Sequence, residues 1–307
     1  MENNLEHNPY FQDLPEEIKK ENRHISKVFF IFAVAYVISL GFLLTINAFL
    51  YAVDIPERAD YIIRSIISAS HTPLIFLLMY LGFRKIPSAP HPKSDEMNIT
   101  KLIGFLCVCV FLMILGSLVG NYATKLVCLI TGKNQANIVS DIVKSMKPLE
   151  IFILAVIMGP IFEEIVFRKL LIDKLARYGT VFACVVSALV FGLYHGNFEQ
   201  FFYAFFVGII LSYVYCVYGK IIYPIVLHIV LNAIGSFIPL IIGLGETSEI
   251  TSSQTIYMYL YILSFLIGGF ILVSKFRQSL FYLVDGTLIR PWVVLIKNPG
   301  FICTLVI

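Results

Sequence analysis

The chain has 307 residues, 58% of them hydrophobic and only 14% charged, with a mean hydropathy of +0.84. A soluble domain carries about 25% charged residues, so this composition excludes an ordinary soluble fold and points to the bilayer as solvent. The formal net charge of +3 is small, and the basic residues lie between apolar runs rather than in a stripe, which excludes nucleic acid as a partner.

The first 24 residues are polar and carry several acids, and the apolar run behind them is too long for the hydrophobic region of a signal peptide, so no cleaved leader is expected. Residues 1–24 read as a polar cytoplasmic arm in which Asp13, ahead of Leu14-Pro15-Glu16-Glu17, starts a short surface helix. Runs near twenty residues, enough to cross about 30 Å at about 1.5 Å per residue, then follow. They cover roughly 28–53, 62–83, 102–120, 149–171, 180–196, 201–219, 221–243 and 256–274. The fifth and sixth are the weakest, joined only by Asn197-Phe198-Glu199-Gln200. Segment 84–101, with Pro87, Pro90 and Pro92 among charges, reads as a cytoplasmic linker. The tail 275–307 mixes Arg290-Pro291-Trp292 with short apolar pieces and suits a cytoplasmic or interfacial strand or helix better than a ninth span.

The expected fold is therefore all-α: a polytopic transmembrane helix bundle of about eight spans, one domain over 25–274, with a motif core at 149–235. Placing the N-terminus inside puts 17 of the 23 Lys and Arg residues in cytoplasmic connections, so both termini are expected to be cytoplasmic. Cys107, Cys109, Cys128, Cys184 and Cys216 sit in or beside apolar runs without C-x-x-C or metal-site spacing and read as packed thiols. Cys303, fifth from the end, makes no prenylation box. No internal repeat is visible.

The fourth run carries Gly159-Pro160-Ile161-Phe162-Glu163-Glu164-Ile165-Val166-Phe167-Arg168, two adjacent acids inside an apolar helix. A charge near mid-bilayer costs at least about 2.5 to 3.5 kcal/mol, so these groups must face the bundle interior and find partners. Glu164 and Arg168 are four apart and share a helix face, where an ion pair holds Glu164 ionised. Glu163 points about 100° away and lacks that partner, which makes it the better proton acceptor. Pro160 has no N–H for the carbonyl of Val156, so a kink is expected there. The alternative is that the acids and Arg168 merely lock helices together.

His195 closes the fifth run in Phe191-Gly192-Leu193-Tyr194-His195 and brings a group that exchanges protons near neutral pH; a histidine at a span's end also serves as an interfacial structural residue. In the seventh, His228 and Asn232 are four apart on one face, a ready pair of hydrogen-bond donors, although Asn232 could bond a neighbouring helix instead. His71, beside Pro73 in the second run, reads as a helix contact. Depth poses a difficulty: at about 1.5 Å per residue, Glu163 and His228 lie about 12 Å and 10 Å from the cytoplasmic ends of their spans, and His195 about 22 Å. Either the fourth helix runs on past Leu171, or the fifth starts later than Thr180 and the Asn197 to Gln200 turn dips into the bilayer; a mixture of the two is expected.

These three elements together resemble the motifs of the CPBP family, the CAAX-protease and bacteriocin-processing intramembrane endopeptidases of the Abi type. That pattern, E-E-x-x-x-R, F-x-x-x-H and H-x-x-x-N, is met by Glu163, Glu164 and Arg168, by Phe191 and His195, and by His228 and Asn232. The resemblance implies a multi-pass protein of the bacterial plasma membrane that hydrolyses a membrane-associated peptide or lipidated peptide, of CAAX type or a bacteriocin or pheromone precursor. It implies that Glu163 and His195 activate water, that His228 and Asn232 stabilise the oxyanion, and that Glu164 with Arg168 orients the site. No cofactor is favoured, but zinc or another divalent metal on Glu163, His195 and His228 stays open, since two His and one carboxylate leave a position for water. A non-catalytic membrane scaffold and, with less support, a secondary transporter are the other function classes; the transporter lacks repeated halves here.

Overall fold

The computed structural model describes residues 16–53, 56–88, 96–132, 147–244, 250–279 and 289–306. Asp13 and most of the N-terminal arm lie outside the described residues. Every described regular element is helical, so the fold is all-α, and five helices are long and apolar enough to cross a membrane. The bundle is a multi-pass membrane protein.

Helix α1 (Glu16–Ala52) runs without a break through the expected arm and first span, so Glu16 and Glu17 open the span helix itself rather than a separate surface helix. Helices α2 (Glu57–Phe83) and α3 (Ile99–Thr131) follow. Asn98 caps α3, its Oδ1 accepting from the N–H of Lys101 at 2.8 Å. Helix α4 covers 148–175 and is irregular: π-helical turns at Ile151–Met158 and Ile165–Ile172 flank an α-helical piece, Gly159–Glu164. Then come α5 (Thr180–Tyr194), α6 (Phe198–Tyr218), α7 (Ile222–Ile241) and α8 (Ser252–Ser279). The C-terminal segment supplies two short helices, α9 (Ile289–Ile296) and α10 (Pro299–Val306).

Two apolar cores form. One gathers α1, α2, the second half of α4, α5 and the C-terminal helices around Phe29, Met79, Phe167, Leu171, Phe182 and Phe301. The other joins α3, α6 and α7 around Val110, Val207, Leu211, Leu227 and Leu231. Both α5 and α3 pack against α6, and α8 packs on α3. The approach of α3 to α6 depends on Gly116, where a Cβ would run into the backbone of Tyr203. Large apolar side chains stay exposed along the outside, Leu129, Phe270 and Phe30 among them, as expected where lipid replaces water. Cys184 and Cys216 meet across the α5–α6 contact, Sγ to Sγ at 3.7 Å, as buried thiols.

One of the two ways out of the depth difficulty, a longer fourth helix, is present. Helix α4 runs on past Leu171 to Leu175 and a 3₁₀ turn at Ala176–Tyr178, which lengthens the stretch beyond Glu163. Helix α5 starts at Thr180, where the sequence placed it. Its end is sharp: Gly196 takes φ +68°, a left-handed turn open to glycine, and Asn197 caps α6 by accepting from the N–H of Gln200 at 2.8 Å. The connection expected to reach Gln200 is thus complete by Asn197.

Candidate active site

The site lies at the seam between the two cores, where α4, α5 and α7 converge and α2, α3 and α6 complete the wall. A cavity of about 360 Å³ opens there, lined by Glu163, His195, His228 and Asn232 together. Glu164 and Arg168 stand behind it, both fully buried. Nε of Arg168 lies 3.1 Å from Oε2 of Glu164, the (i, i+4) ion pair that the spacing announced. The contact is one of charge rather than of aligned hydrogen bonding. Arg168 is further held by the Gly208 carbonyl at 3.5 Å and by the Phe191 ring, 4.5 Å beneath its guanidinium. Such a pair survives burial only because each charge finds its partner.

His228 joins the two glutamates. Its Nδ1 donates to Oε1 of Glu164 at 2.8 Å, while its Nε2 lies 3.7 Å from Oε2 of Glu163. A carboxylate already paired with arginine accepts, so Nδ1 carries the proton and Nε2 faces Glu163 and the cavity. His195 caps α5, and its Nδ1 donates to the Phe191 carbonyl at 2.8 Å. A carbonyl can only accept, so the neutral ring presents Nε2 as a lone pair. Phe191 also stands edge-on to both imidazoles, with ring centroids 5.0 Å from His195 and 5.7 Å from His228.

Asn232 owes its orientation to the backbone of α4. The N–H of Gly159 bonds to Leu154, the five-residue register of a π-turn. In that register residue 160 would donate to Ala155, and Pro160 has no N–H. The carbonyl left without its helical donor in that register is that of Ala155. Nδ2 of Asn232 donates to it at 2.9 Å. The bond to a neighbouring helix weighed for Asn232 is thus present, and its amide nitrogen keeps a second N–H.

Three polar groups on the cavity wall, Thr72, Gln200 and Tyr203, escaped sequence reading. Gln200 and Tyr203, one turn apart on α6, are linked by Nε2 to hydroxyl at 3.1 Å, and Asn197 holds the Gln200 amide oxygen at 2.7 Å. Thr72 lines the same cavity from α2, and its Oγ1 lies 2.6 Å from the Tyr194 hydroxyl. The Asn197-x-x-Gln200 cap was the only local signal. His71, read as a helix contact, is one: its Nδ1 lies 3.0 Å from the Tyr194 hydroxyl.

Among the described residues, no three His, Cys, Asp or Glu side chains stand at metal-holding spacing. His195 and His228 each donate Nδ1 to a protein acceptor and keep Nε2 available, the arrangement that also suits a histidine ligand, and the Nε2 of His228 sits 3.7 Å from the Glu163 carboxylate.

Residues 145–234 match the family model of the Rce1-like type II CAAX prenyl endopeptidases. The matched stretch carries all three motifs. The chain is 29% identical over 93 residues to YdiL, a candidate membrane peptidase of Bacillus subtilis (strain 168), covering 30% of this chain and 37% of that protein. It is 33% identical over 92 residues to the membrane-embedded CAAX protease MroQ of Staphylococcus aureus (strain USA300), covering 28% of this chain and 37% of that protein. The match thus spans about 37% of the length of either relative. No solved structure matches the chain.

Proposed function

We propose that the chain is an intramembrane endopeptidase of a bacterial plasma membrane, hydrolysing a membrane-associated peptide with water activated by Glu163 and His195. The observation that carries this reading is the convergence of Glu163, His195, His228 and Asn232, from three helices, on one cavity. In this reading eight spans cross the membrane with both termini cytoplasmic, and 25–274 is the protease domain.

The chemistry follows from what each atom can do. A water between the Glu163 carboxylate and the Nε2 lone pair of His195 gives its proton to Glu163 as its oxygen attacks the scissile carbonyl carbon. The oxyanion that forms accepts from the N–H of Asn232 not spent on Ala155 and from Nε2–H of His228 when that ring is protonated. Glu163 then returns the proton to the amide nitrogen, the C–N bond breaks, and the amine leaves. Glu164, fixed by Arg168, holds His228 through Nδ1 so that Nε2 meets the reaction.

The substrate class is a CAAX-type prenylated peptide or a bacteriocin or pheromone precursor; the family description favours the first. Membrane peptidomes of cells carrying wild-type or Glu163→Gln protein test the reading. A peptide that accumulates only with the variant, and that purified wild-type protein cleaves in proteoliposomes, supports it. Identical peptidomes, together with no cleavage of prenylated peptides by the purified protein, refute it.

A further inference from the structure

Outside the residues given a role so far, the cavity wall carries a hydrogen-bonded chain that leads away from it: Thr72 Oγ1 to the Tyr194 hydroxyl at 2.6 Å, and that hydroxyl to Nδ1 of His71 at 3.0 Å. Thr72 lines the cavity, whereas His71 is not part of its lining and has its Nε2 buried. The Tyr194 ring stacks on His71 at 5.7 Å, and Tyr36 of α1 stands edge-on to both rings. Ser39 fixes the α2 backbone beside them by donating to the His71 carbonyl at 3.0 Å.

The direction of this chain follows from its inner end. Nε2 of His71 is buried and makes no hydrogen bond among the described residues. A buried ring nitrogen without a partner is tolerated better as a bare lone pair than as an orphaned N–H. The proton therefore sits on Nδ1, which donates to the Tyr194 oxygen. The Tyr194 O–H in turn donates to Thr72 Oγ1, and the Thr72 hydroxyl hydrogen is left pointing to the one open side, the cavity. Each link follows because a hydroxyl has one hydrogen to give.

We propose that Thr72 is a substrate-binding residue whose hydroxyl donates to a backbone carbonyl of the bound peptide, with Tyr194 and His71 as positioning residues that fix it as a donor. The proposal rests on the peptidase reading. It adds a contact on the α2 wall, away from the glutamates and both imidazoles of the motifs. A carbonyl is the acceptor that any peptide brings, whatever its side chains, so the contact orients the chain and does not select a sequence.

The test uses full-length protein in proteoliposomes, with an internally quenched prenylated CAAX peptide as probe. Thr72→Val keeps the shape and removes the donor; it is expected to raise KM about tenfold with kcat little changed, the signature of lost ground-state binding. Thr72→Ser restores the hydroxyl and is expected to return KM to within about twofold of wild type. Tyr194→Phe frees Thr72 to turn and raises KM as well, and adding it to Thr72→Val brings no further loss, because the pair acts as a unit. Equal KM for wild type and Thr72→Val overturns the proposal, and so does a Thr72→Ser protein as impaired as Thr72→Val. If wild type does not cleave the probe at all, the peptidase reading falls on this substrate and the proposal with it. If Glu163→Gln abolishes cleavage while Thr72→Val leaves KM untouched, only the proposal falls.

Discussion

Nδ1 of His228 donates to Oε1 of Glu164 at 2.8 Å, tying α7 to α4 at a point where Glu164 has no exposed surface. Through this bond the buried ion pair of Glu164 and Arg168 reaches a ring that itself borders the cavity. Neighbouring acids in the sequence are thereby separated in duty: Glu164 is consumed by structure, and Glu163 is left facing the space where substrate would sit.

Glu163→Gln is therefore expected to lose cleavage by at least about a thousandfold while folding normally, because the amide keeps the shape but cannot take a proton. Turnover of a quenched prenylated peptide, measured beside thermal unfolding in detergent, separates the two effects. Near-wild-type turnover in a folded Glu163→Gln protein contradicts the assigned base.

Glu164→Ala should act on stability first. Removing one member of a fully buried ion pair leaves Arg168 uncompensated and costs about 3 to 5 kcal/mol. Thermal unfolding reads the loss. The double variant Glu164→Leu with Arg168→Met is expected to recover much of it without recovering activity, since His228 then lacks the acceptor for Nδ1.

The bond from Asn232 to Ala155 exists because Pro160 leaves that carbonyl open. In a Pro160→Ala background the new N–H can serve Ala155, so Asn232→Ala should destabilise the protein by about 0.5 to 1.5 kcal/mol less there than in wild type. A double-mutant cycle of unfolding free energies measures this coupling; strict additivity would show that the carbonyl is satisfied in some other way.

Gly116→Ala places a methyl against the backbone of Tyr203. Helix α6 must move away from α3, at a cost of about 1 to 3 kcal/mol, and Gln200 and Tyr203 move with it. Unfolding temperature and KM should both worsen. Gly41→Ala, where a Cβ meets nothing within 4 Å, is the control expected to behave as wild type.

Because no three donors among the described residues gather at metal spacing, activity of the purified protein is expected to survive chelation to within about twofold. Elemental analysis of the same sample checks for a tightly held ion. Loss of activity on chelation with recovery on zinc addition would mean that the side chains rearrange around a metal.

The sequence by itself determined whatever depends on helical periodicity and on lipid as solvent. Apolar run lengths marked the helices, the spacing of Glu164 and Arg168 placed their ion pair, and the cost of charge in hydrocarbon directed Glu163, His195 and His228 inward. Those inferences need only 3.6 residues per turn and a transfer free energy, both local properties of the chain. The tertiary structure decided which inward groups meet. It placed His228 between two glutamates, continued α4 to Leu175, left the Ala155 carbonyl open to Asn232 through a π-turn, and brought Gln200, Tyr203 and Thr72 to the cavity. These outcomes rest on how helices distant in sequence settle against one another, at contacts such as Gly116 on Tyr203, and no periodicity within a single helix encodes the rotation and depth of its neighbour.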